Sequence, residues 1–248
     1  MKHIIRSLLL YLLILGLLTF NLPLVSDPIM SAYLLYIILI LVVFYSGEKL
    51  LWGESLVPGL LWGGVLMGTI ISLELITGWI KVEGFDFNIK LVVSLLIYQI
   101  LVSVGEEISF RGYILKNLIK GTNVKTGIII TSFLFSFIHL PSIFYGSMDY
   151  SRDALALIVV GMLSVLFSLI YLNYGLLSAI SFHFVWNFLQ YNVFNLNDSY
   201  QGIIKISYTG QNLLLTGDNF GPEAGILGFI VIFLALIIFI KKFAKSLN

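Results

Sequence analysis

The sequence predicts an all-α, polytopic membrane protein, a bundle of about eight transmembrane helices around an intramembrane polar cavity. Three observations carry that expectation. The 248 residues are 59% hydrophobic and 11% charged, with a mean hydropathy of +1.01, well outside the range of soluble domains. Apolar runs of roughly 20 residues, the length that crosses a bilayer as a helix, recur along the chain. The breaks between them are rich in Gly, Pro, Asn and charge.

Taken in order, the first run covers 4–22. Its opening, "MKHIIRSLLLYLLILGLLTF", is basic and then apolar like a secretory signal, but "NLPLVSDP" offers no small-x-small cleavage site, so a retained helix is expected. Runs at 29–46, 56–79, 89–119, 124–141, 153–173 and 175–195 follow. A long polar stretch then leads to 223–241, where Pro222 and Glu223 suit an opening turn. No internal repeat appears, and 1–248 is expected to be one integral membrane domain.

Lys and Arg set the orientation. Lys2, Arg6, Lys49, Lys116, Lys120, Lys125, Lys241, Lys242 and Lys245 fall on one side, and Lys81, Lys90, Arg152 and Lys205 on the other. The bias predicts both termini in the cytoplasm. The formal net charge of +1 gives no basic or acidic field, and no nucleic-acid partner is expected. Cysteine is absent, which excludes disulfides, thiolate metal sites and a cysteine nucleophile.

Charge inside the runs is costly in lipid and therefore informative. Glu74 stands near the outer end of the third run and is left unassigned. The remaining set is Glu106, Glu107 and Arg111 in the fourth, His139 in the fifth, and His183 with Asn187 in the seventh. Glu107 and Arg111 are one turn apart and able to neutralise each other. Glu106 points about 100° away around the helix and lacks such a partner. His183 and Asn187 share a face, as do Phe135 and His139. At 1.5 Å per residue, the depths from the cytoplasmic ends are roughly 15 Å for Glu106, 21 Å for His139, 12 Å for His183 and 18 Å for Asn187. One cavity layer is expected to hold all four. Trp186, Phe182 and Phe184 are expected to pack or to face lipid.

These residues carry a resemblance. "EEISFR", "FSFIH" and "HFVWN" resemble, in order and on separate helices, the EExxxR, FxxxH and HxxxN motifs of the CPBP (Abi) intramembrane proteases, which include the type II CaaX prenyl endopeptidases. "GLLSAISFHFVWNF" and "LLTGDNFGPEAG" also look like bacterial members, and the resemblance implies a CPBP-like catalytic core over 89–241. It implies an endopeptidase in which Glu106 activates water with His139 assisting, while His183 and Asn187 stabilise the oxyanion. Glu107, Arg111 and Phe135 would support the site. Peptide hydrolysis needs a base, a donor to the leaving amine and oxyanion donors, and these residues cover the roles.

A metal stays open. Glu106, His139 and His183 would be its ligands, as in a zinc metalloprotease, but no HExxH arrangement is present and Asn is a poor zinc ligand, so the favoured reading requires no cofactor. The resemblance implies a membrane-associated peptide or protein substrate: a CaaX-type tail, a bacteriocin or other peptide precursor, or a target whose cleavage confers immunity. Nothing in the sequence fixes an oligomeric state. Two rival classes are a proton-coupled transporter, against which no paired broken segments appear, and a catalytically silent scaffold or immunity protein.

Overall fold

The computed structural model describes residues 1–19, 28–140, 150–196, 202–210 and 213–243. The distal ends of the first and fifth expected runs, and Lys245, lie outside these. The helices are α1 (Lys2–Thr19), α2 (Pro28–Tyr45), α3 (Val57–Ile76), α4 (Ile89–Gly121), α5 (Val124–Ile138), α6 (Tyr150–Tyr174), α7 (Leu176–Asn187), α8 (Leu213–Thr216) and α9 (Ile226–Lys242). Within α4, Ile108–Leu115 is π-helical, and α7 continues as a π-helical segment, Phe188–Val193. By length and composition α3, α4 and α6 can each cross a membrane, and Met30–Tyr45 and Val124–Ile138 are shorter apolar helices.

The predominantly helical expectation holds, with one addition. Strands β1 (Ile80–Phe85) and β2 (Ile204–Tyr208) pair antiparallel, Ile80 opposite Tyr208 and Phe85 opposite Ile204, with an irregularity between Val82 and Gly84. These strands are far apart in sequence and joined by no tight turn, so they leave no hairpin signal.

Large apolar side chains such as Leu61, Ile129, Phe133 and Leu234 are exposed on the outside, while Met67, Ile114, Leu166 and Phe182 are fully buried. Such an apolar exterior suits lipid rather than water.

Helix α7 is tied to the chain on either side of the start of α3. Its first amides, which no helical carbonyl can satisfy, are taken up by the segment before α3: Leu176 N donates to Leu51 O and Leu177 N to Trp52 O, both at 2.8 Å. Ser178 and Ser181 hydroxyls donate to Ser55 O and Leu56 O at 2.7 Å. Alongside, α3 meets α7 backbone to backbone at Gly59, where a Cβ would lie 1.9 Å from Ser178 O. The C-terminal half of α4 is pinned separately. Ser7 of α1 donates to Ile114 O at 3.1 Å, and Glu48 pairs with Lys116 at 3.1 Å and Lys120 at 2.6 Å. Lys116 also donates to Lys49 O.

Candidate active site

The EExxxR segment supplies the foundation. Arg111 Nη1 donates to Glu107 Oε1 at 2.9 Å, both side chains being fully buried. Arg111 Nη2 reaches Ser164 Oγ on α6 at 2.8 Å, and the guanidinium lies over the rings of Phe135 at 4.5 Å and Phe167 at 4.9 Å. A desolvated cation thus has a carboxylate, a hydroxyl and two aromatic faces.

Glu107 has a second task that the i,i+4 spacing did not suggest. Its Oε1 also bonds His183 Nδ1 at 2.9 Å, tying α7 to α4. The other face of the imidazole is set by Phe167, stacked at 4.9 Å and 15°. Glu106 turns elsewhere. Its Oε1 accepts from Tyr36 Oη on α2 at 3.0 Å, whereas its buried Oε2 has no hydrogen bond and sits 3.9 Å from His183 Nε2. One carboxylate oxygen is therefore anchored and the other is directed at the ring.

His139 caps the C-terminal end of α5, half-buried, with Nδ1 2.8 Å from Phe135 O and its ring 4.9 Å from that of Phe135. Phe135 is in turn 6.3 Å from the His183 ring, so it separates and orients the two imidazoles. Asn187, also half-buried, is the last residue of α7, one turn beyond His183. Glu106, Glu107, Arg111 and His183 make direct contacts; His139 joins them through Phe135, and Asn187 through its place on α7. π-Helical turns are rare and cluster at functional sites. Here one begins right after Glu107 and the other right after Asn187.

Several participants were not legible beforehand. Tyr36 and Phe167 sit in plain apolar runs and carry no local signal. Trp186, expected to pack or to face lipid, is 1% exposed and donates its indole N–H to Glu223 Oε1 at 2.8 Å. Phe182 is fully buried, and Phe184 stacks on Phe188 at 5.4 Å. Farther along α3 and α4, Glu74 and Gln99 are buried with both terminal atoms lacking hydrogen-bond partners. Neither belongs to this cluster.

The metal set fits poorly. Among the described residues, no three of His, Asp and Glu come together as a group able to hold an ion. Each candidate histidine has Nδ1 engaged, His183 with Glu107 and His139 with Phe135 O, which leaves Nε2 as the atom that would face an ion. No reaction step below passes through a metal.

No curated protein matches the chain. Residues 88–189 match the family described as type II CAAX prenyl endopeptidase Rce1-like. That stretch contains Glu106, Glu107, Arg111, Phe135, His139, His183 and Asn187, the residues on which the resemblance to the CPBP proteases was read. Over 88–189, which holds these motif residues, the chain is thus similar to the Rce1-like, type II CAAX prenyl endopeptidase family.

Proposed function

We propose that the protein is an intramembrane endopeptidase that hydrolyses a peptide bond of a membrane-associated peptide or protein, with Glu106 as the group that activates water. One observation carries the reading: Glu106 is buried, anchored through one oxygen by Tyr36, and presents the other, unpaired, 3.9 Å from His183 Nε2. A water oxygen about 2.8 Å from both atoms would see them at close to a right angle, an acceptable hydrogen-bonding geometry.

In this reading Glu106 Oε2 takes the proton as water adds to the scissile carbonyl, and that proton passes by way of His139 to the leaving amine as the C–N bond breaks. His183, donating Nδ1–H to Glu107, presents Nε2–H to the oxyanion, and Asn187 adds an amide donor from the next turn.

The surrounding architecture is read as one integral membrane domain of about eight spans, with the catalytic core over 89–241, both termini cytoplasmic and substrate entering from that side. The purified protein in liposomes should cleave a lipid-anchored peptide, and Glu106→Gln should abolish cleavage. Ion flux that survives Glu106→Gln, without cleavage by the wild type, would replace the reading with transport.

A further inference from the structure

We propose that Glu223 is a positioning residue of this site, fixing the rotation of α7 that aims His183 and Asn187. The inference rests on the protease reading above.

The geometry starts from two donors on one helix face. Trp186 Nε1 donates to Glu223 Oε1 at 2.8 Å and Gln190 Nε2 donates to Oε2 at 2.6 Å. Trp186 lies between His183 and Asn187, and Gln190 follows it by four positions, across the start of the π-helical segment. A turn of α7 large enough to take His183 out of reach of Glu107 would break both bonds. Trp186 has only an N–H to offer and so fixes one oxygen of Glu223 as an acceptor, while Gln190, whose own Oε1 has no partner, donates to the other.

The segment that delivers Glu223 is built for close approach. Glu223 occupies a short 3-10 turn, Pro222–Ala224. At Gly221, with φ +93°, a Cβ would lie 2.8 Å from Gln190 Nε2 and 3.2 Å from Leu196 O; at Gly228 it would lie 1.9 Å from Pro222 O. Ala224 packs on Ala156 of α6, and Arg152 pairs with Asp218 at 2.8 Å. A carboxylate 5% exposed costs several kcal/mol to desolvate, so simple packing would be better served by an apolar side chain.

The test uses the full-length protein and the cleavage assay above. Glu223→Gln should lower kcat by roughly 10- to 100-fold, the usual effect of losing a group that orients another, with KM within about threefold. Its bond to Trp186 is read independently by NMR: of the four Trp indole N–H resonances, that of Trp186 should move. Trp186→Phe should lose less kcat than Glu223→Gln and add little in the Glu223→Gln background. Glu223→Asp should restore part of kcat. A wild-type kcat in Glu223→Gln overturns the inference, as does a change confined to thermal stability and KM. A wild type that cleaves nothing removes the protease reading and this one together, whereas an active wild type with an unaffected Glu223→Gln removes this one alone.

Discussion

Glu107 holds the arrangement in two directions, and the two can be separated. Glu107→Leu leaves Arg111 fully buried beside Ser164 and two aromatic rings. Removing one partner of a buried pair costs about 3–5 kcal/mol. For a chain of this length, at about 2–4 °C per kcal/mol, the melting temperature should fall by about 6–20 °C. In Glu107→Leu/Arg111→Met the stranded cation is gone, so most of that loss should be recovered. Cleavage should stay at least about 10²-fold down in both variants, because His183 Nδ1, normally 2.9 Å from Glu107, has no acceptor. Thermal unfolding in detergent, followed by tryptophan fluorescence, gives the first quantity and peptide cleavage the second. A double variant that regains cleavage, or a single variant melting within about 3 °C of the wild type, would refute this division of labour.

Tyr36→Phe should cost about 1.5–3 kcal/mol, the value of a hydrogen bond to a charged group, and should depress kcat by freeing Glu106 Oε1; steady-state kinetics and unfolding check both. Gly59→Ala should drive α3 off α7, since the added Cβ would lie 1.9 Å from Ser178 O; a loss of about 1–3 kcal/mol is expected by thermal unfolding. Glu48 titrates below its ordinary value of 4.5: burial pushes it up, but the bonds from Lys120 and Lys116 outweigh burial. Its stabilisation is therefore full above the unfolded value and lost as pH falls through the lower folded one, and Glu48→Gln should remove that acid sensitivity, worth less than about 1 kcal/mol at a half-buried surface pair, in melting curves taken against pH. The absence of native cysteine makes orientation measurable directly: single cysteines at the exposed positions Thr122 and Thr209 should react with a membrane-impermeant maleimide from opposite sides.

The helices were legible because an apolar run of bilayer length leaves little else for the backbone to do. The pairing of Glu107 with Arg111 followed from spacing alone, while several helix ends lie a few residues from the expected breaks. What the sequence hid was lateral. Helical periodicity states which residues share a face but not which helix that face meets, so the bond from Glu107 to His183 and the reach of Tyr36 to Glu106 had no local trace. Trp186 shows the same gap: an aromatic in an apolar run reads as packing until its N–H is seen to end on Glu223. The β1–β2 pairing was invisible for the related reason that its partners are distant and the strands short. The π-helical stretches at 108–115 and 188–193 have no compositional mark, and the structure offers no physical account of their length.

The anchoring of α7 has one more consequence. Its first turn is tied to Leu51, Trp52, Ser55 and Leu56, and its far end leans on Glu223, yet all of these fall outside the family-matched stretch 88–189. That stretch is accordingly not self-sufficient: excised, it would keep every motif and lose the supports at both ends of the helix bearing His183. The motif residues therefore lie at the centre of the chain, while the groups that hold them in line come from its flanks, Tyr36 of α2 among them.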